Sequence, residues 1–295
     1  MGRLRLAGLV AVAAAATSGM QIAAMPSAMA APCPDAEVIF ARGTTELPGL
    51  GPTGDAFVEA LRPQLGDKTL GVYAVDYPAT TAFSTAVQGI ADARARILAN
   101  AANCPDTKMV LGGFSQGAAV MGFVTSSAVP DGVSPAEVPA PMPPEIADHV
   151  AAVALFGKPS PRFMRVLNDP PVVVGPYYAA KAIDLCVDND LVCDPKGSSF
   201  AVHNQYQEFG LVTQAATFVA QKLQADWAAE EAADEETPDE ATPAPRTPPT
   251  RTPSPLSAPV GATPPVQQIA STPAPVGTGP LPGPAVAPPP TAPLA

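Results

Sequence analysis

The segment Gly113-Phe114-Ser115-Gln116-Gly117, preceded by the apolar run Met109-Val110-Leu111, leaves the chain around it almost one local geometry. A buried strand must end at Ser115 and a helix must begin directly after it. In such an elbow the serine sits on a sharp strand-to-helix turn with strained backbone angles, so the residues two before and two after it must be small enough to let the chains pass. Both positions are glycines here. The run Gln116-Gly117-Ala118-Ala119-Val120-Met121 is small and apolar at helical spacing, which predicts a buried helix whose N-terminus points at a reacting centre. The plain alternative is a glycine-rich turn whose serine only caps the helix. A base and an acid elsewhere in the chain would separate the two.

The whole chain has two histidines, His149 and His203. An activated serine hydroxyl needs a base. His149 opens the apolar stretch to Phe156, which reads as the next buried strand, so it belongs at the sheet edge opposite the elbow. His203 follows a loop-like stretch, Pro195 to Val202. At elbows of this type the order along the chain is serine, acid, histidine, and His203 fits it. Asp184, Asp188, Asp190 and Asp194 all stand in the window for the acid. A bridge between Cys186 and Cys193 would close a small loop and hold one carboxylate at a fixed angle to His203, which narrows the acid to Asp188 or Asp190. Turn chemistry alone also accounts for Asp-Asn-Asp.

Four separated features together resemble the secreted cutinases, close to the cutinase-like serine esterases of actinobacteria. They are Phe40-Ala41-Arg42-Gly43-Thr44-Thr45-Glu46, the Gly-Phe-Ser-Gln-Gly elbow, the Cys-x3-Asp-x2-Cys loop from Cys186 to Cys193, and a histidine thirteen residues after that aspartate. The resemblance implies Ser115 as nucleophile, Asp190 as acid and His203 as base. It implies an oxyanion hole from Gln116 and Thr44, where fungal members usually carry serine in place of Thr44; threonine keeps the hydroxyl but its methyl restricts χ1. It also implies the disulfides Cys33–Cys104 and Cys186–Cys193. In the loop-entropy model these stabilise by about 4 and about 2.5 kcal/mol. No cofactor is expected and no metal, because neither the cysteines nor the histidines show paired ligand spacing.

Arg3 and Arg5 precede the apolar stretch Leu6 to Ala16, and Ala28-Met29-Ala30 offers a small-x-small cleavage site, so residues 1–30 are expected to be a signal peptide. Export to an oxidising space agrees with four cysteines. From Pro238 to Ala295 the chain holds 19 of its 39 prolines, mixed with alanine and threonine. Such composition cannot bury a core. The expected organisation is a signal at 1–30, a catalytic domain at 31–227, and an acidic then Pro/Ala/Thr-rich disordered tail at 228–295 that could associate with the cell envelope. The net charge is −11, of which the signal carries +2 and residues from 225 onward −6, leaving −7 for the folded part. Nucleic acid is therefore excluded as a natural partner. An ester or lipid substrate and a monomer are expected.

Apolar runs at Val38–Phe40, Leu70–Val75, Met109–Gly113 and Val150–Phe156 read as strands, with helical patterns near 53–65, 84–102, 116–127 and 203–224. The fold expected is an α/β-hydrolase-like three-layer sandwich around a mainly parallel sheet. The proline-rich insert from Pro130 to Pro144 follows the elbow helix to the edge away from the serine, so no large lid is expected. Tyr77, Phe83, Leu191, Val192, Phe200 and Val202 are the expected acyl crevice. Fold and triad leave the leaving group open, so a mycolyl-ester, acetylxylan or phospholipid hydrolase on this scaffold is the nearest alternative. A secreted surface or binding protein without turnover is the other.

Overall fold

A computed structural model describes residues 32–236. The expected signal peptide and nearly all of the expected tail lie outside the described residues. Five parallel strands form the sheet, in the order β2-β1-β3-β4-β5. They are β1 (Ala36–Ala41), β2 (Leu70–Ala74), β3 (Lys108–Phe114), β4 (Val150–Phe156) and β5 (Ala182–Leu185). The helices are α1 (Gly51–Leu61), α2 (Ala86–Asn103), α3 (Gln116–Val124), α4 (Pro161–Leu167), α5 (Pro176–Ala179) and α6 (Leu211–Glu236).

Strand alternation builds two cores, one on each face of the sheet. Val38, Phe40, Val110, Phe114, Ala154 and Phe156 point to the face covered by α1 and α6, where they meet Phe57, Val219 and Leu223. Ile39, Leu111, Val153 and Leu155 point to the other, against Ile97 of α2 and Val120 of α3. Both faces of the central strands are thus dry, which is why they read as near-continuous apolar runs. The result is a three-layer α/β sandwich.

The C-terminal half departs from the sequence pattern in two places. The helix expected over 203–224 is instead a 3-10 turn at Ala201–Asn204, a run of turns, and then α6. Gly210 explains the break, since its φ of 73° cannot continue a helix. Phe209, read as part of a helical stripe, is exposed. At its other end α6 continues past Trp227 to Glu236, and Glu230 pairs with Lys108 at the foot of β3. Disulfides Cys33–Cys104 and Cys186–Cys193 are formed. Among the described residues no helix is long and apolar enough to cross a membrane.

Candidate active site

The site is built at the C-terminal ends of the strands, the edge where parallel α/β sheets place their ligands. β3 ends at Phe114, and Ser115 turns the chain into α3 with φ 54° and ψ −116°, a conformation that costs an L-residue strain. One hydrogen bond holds it there and two glycines make room for the turn. The Ser115 amide donates to the Phe156 carbonyl at 2.8 Å, and the glycines allow the crossing: a Cβ on Gly113 would lie 2.3 Å from the Gly117 carbonyl oxygen, and one on Gly117 1.9 Å from that of Ala41.

His203 Nε2 lies 2.8 Å from Ser115 Oγ, and His203 Nδ1 lies 2.6 Å from Asp190 Oδ2. A carboxylate can only accept, so Nδ1 carries the proton and Nε2 is left to accept the serine hydroxyl. The imidazole is buried against the Phe114 ring, centroids 5.0 Å apart. Gly157, just after β4, permits this approach: a Cβ there would meet His203 Cε1 at 2.9 Å and the Tyr206 hydroxyl at 2.7 Å.

Of the four candidate aspartates only Asp190 reaches the histidine. It is completely buried, and it accepts from the Val192 amide at 2.8 Å and the Tyr206 hydroxyl at 2.8 Å as well as from His203. Burial pushes its carboxyl up, but the hydrogen bonds from His203, the Val192 amide and Tyr206 outweigh this and hold it below the ordinary value. Asp188 is exposed. Asp184 stands on β5 and pairs with Lys158 at 3.2 Å, while Asp194 accepts from the amides of Asn189 and Lys196 and so closes turns. The bridge Cys186–Cys193 spans the loop, and the two sulfurs with Asp190 form a cluster of metal-like spacing. With both sulfurs bonded to each other, that donor set is a disulfide beside a carboxylate.

The loop after β1 is pinned on both sides of Thr44. The Gly43 amide donates to Glu46 Oε2 at 2.6 Å and the Thr45 amide to the Ala79 carbonyl at 2.7 Å. Arg42, buried, donates to the carbonyls of Glu46 at 2.9 Å and Tyr77 at 2.5 Å, and the Tyr77 hydroxyl returns a bond to the Arg42 carbonyl at 2.6 Å. Burial raises the Glu46 carboxyl, against the Gly43 amide and Arg42, which lower it. Gln116 opens α3, where its amide has no carbonyl four residues back to bond. Its buried side chain donates to the Thr80 carbonyl at 3.0 Å, and Oε1 has no hydrogen-bond partner in the protein.

The crevice residues divide. Phe200 is 58% exposed beside His203, with Leu191 and Phe83 half-buried and Val202 partly packed on the core. Tyr77 and Val192 do not reach the crevice surface, at 4% and 2% exposed. Tyr77 is spent on Arg42, whose guanidinium lies 5.0 Å above its ring. Sequence reasoning missed Tyr206, Arg42, Phe114 and Gly157 as builders of the site. Arg42 and Phe114 stand inside the two motifs around Gly43 and Ser115, and the signals for the other two were a tyrosine three residues after the histidine and a glycine directly after a strand.

A sequence model of the family described as Cutinase matches residues 32–223. This chain belongs to the cutinase family of carboxylic ester hydrolases. It is 58% identical over 167 residues to the Mycobacterium tuberculosis protein named Probable carboxylesterase Culp5, covering 57% of this chain and 95% of that one. It is 43% identical over 219 residues to Phospholipase Culp4 of the same organism, covering 74% of this chain and 92% of that one. Among solved structures, Trichoderma reesei cutinase in complex with a C11Y4 phosphonate inhibitor is similar at a TM-score of 0.51 and 31% identity, over 65% of this chain and 78% of that one. The part of the chain that matches the cutinase family includes both disulfides and all the residues around Ser115.

Proposed function

We propose that this cutinase-family protein is an exported serine esterase that hydrolyses short to medium acyl esters or lipids through an acyl-enzyme on Ser115. The observation that carries the reading is the unbroken line from a buried, ionised Asp190 through His203 to a serine held at a strained elbow. His203 Nε2 takes the hydroxyl proton as Ser115 Oγ attacks the ester carbonyl. The oxyanion forms near the amides of Gln116 and Thr44, held by donors that need no rearrangement. As the tetrahedral intermediate collapses, His203 gives its proton to the departing alcohol. Water then repeats the sequence on the acyl-enzyme and releases the acid. Asp190 keeps the proton on Nδ1 throughout, and Tyr206 keeps Asp190 in place. Phe200, Leu191 and Phe83 supply the apolar surface for the acyl chain. The two disulfides support an extracytoplasmic location, since such bridges persist in oxidising compartments.

Turnover of p-nitrophenyl butyrate and octanoate by the wild type and by Ser115→Ala tests this. The variant should lose about 10³-fold or more in kcat with its melting temperature retained. Wild-type-like turnover in a folded variant would end the assignment. A phospholipid substrate is the second reading, favoured by the likeness to a protein named a phospholipase. A higher kcat/KM on phosphatidylcholine than on p-nitrophenyl octanoate would select it.

A further inference from the structure

A second cavity, of about 630 Å³, opens on the face of the sheet covered by α2 and α3. Its walls come from the outer stripe of α2 (Val87, Ile90, Arg94), from Phe123 of α3, and from the insert after α3, including Val129 and Val138. Ser115, Asp190 and His203 do not line it, although Phe83, at the margin of the acyl crevice, does. Its volume falls within the ~300–1,000 Å³ of sites that take small organic ligands, and its aliphatic lining matches them too. Along α2 the stripe from Val87 to Arg94 spans about 10 Å at ~1.5 Å per residue, the reach of a medium alkyl chain.

The polar side chains in the lining are Ser84, Gln88, Arg94, Ser126, Glu137 and Asp169, with Arg94 the one cation among them. Arg94 Nε is buried without a hydrogen-bond partner, a cost that an acceptor on a ligand would remove. Asp169 and Glu137 also line the cavity. Burial raises the Asp169 carboxyl, and Glu137 is exposed. A guanidinium at the end of an apolar stripe suits a molecule with one hydrocarbon chain and one anionic acceptor head.

We propose that this cavity is a binding site for a fatty carboxylate, with the head on Arg94 and the chain laid along Val87 and Ile90 under the proline-rich insert. The occupant is of the class that ester hydrolysis releases, and it reaches the cavity either as free product or from the surrounding lipid. The site itself is independent of the triad.

Calorimetric titration with sodium dodecanoate below its micelle concentration, using the full chain carrying Ser115→Ala, tests it apart from catalysis. One dodecanoate per chain is expected. Arg94→Gln should weaken dodecanoate about tenfold, the equivalent of ~1.4 kcal/mol, and leave dodecanol unchanged. Val138→Trp, which fills the cavity from the insert, should abolish both while leaving p-nitrophenyl butyrate turnover intact in the otherwise wild-type chain. Adding dodecanoate free and adding it in phosphatidylcholine vesicles separates the two sources: uptake from vesicles at the same saturation marks lipid supply, and uptake from solution alone marks product. No saturable binding, binding unchanged by Val138→Trp, or an Arg94→Gln loss shared equally by dodecanol would each overturn the site. Because these readouts come from a chain without the serine hydroxyl, their failure leaves the reading of Ser115 untouched.

Discussion

At the scale of single residues, the site depends on hydrogen bonds converging on one carboxylate. Asp190 Oδ2 accepts from both His203 and Tyr206, and its partners are buried with it. Three substitutions should therefore rank clearly in kcat at constant fold. Asp190→Asn should lose about 10³- to 10⁴-fold, because an amide in that place favours the wrong imidazole tautomer. Tyr206→Phe should lose roughly tenfold, the kinetic weight of one hydrogen bond to a charged group. Asp188→Asn should stay within about twofold of wild type, as an exposed side chain outside the network. Steady-state kinetics on p-nitrophenyl butyrate check the order, and an impaired Asp188→Asn beside an active Asp190→Asn would move the acid. Ser115 and His203 were legible in the sequence because one sits in a motif with strict steric demands and the other is one of two histidines. The choice of Asp190 over Asp188 came only from family resemblance, since two aspartates in one turn carry no periodicity. Tyr206 hid inside an apparent helical stripe, and Tyr77 and Val192 look like crevice residues until their burial is seen.

At the scale of elements, strands and long helices followed from their patterns, and short or charged pieces did not. β5 has four residues, one of them the exposed Asp184, and lies at the sheet edge, so neither apolar run nor alternation marks it. α4 and α5, at seven and four residues, are too short for a helical period to register. β1 holds a further surprise, since Glu37 is buried inside an otherwise apolar strand. It accepts from Arg96 Nε at 3.0 Å and Asn100 Nδ2 at 2.6 Å, both on α2, and so ties that helix to the sheet. Glu37→Ala strands a half-buried guanidinium and a buried amide, and should cost about 3 kcal/mol in urea unfolding with the slope unchanged. A loss below about 0.5 kcal/mol would show that α2 is held by its apolar face alone.

At the scale of the whole molecule, a central parallel sheet delivers five loops to one edge, and two disulfides clamp the first strand's entry and the acid's loop. That architecture was readable because buried parallel strands are apolar on both faces and leave runs that alternate with helical patterns. The outer limit of the folded part was less readable: beyond Trp227 the described side chains of α6 are exposed, so the acidic composition looks like a linker although the backbone is helical to Glu236. The chain contains many serines, and the geometry singles out Ser115 for activation. Reaction with a fluorophosphonate ester, followed by intact-mass measurement and peptide mapping, tests this directly. One adduct per chain is expected, on Ser115, absent from Ser115→Ala and strongly slowed in His203→Ala. No adduct on the folded wild type, or an adduct on another serine, would contradict it.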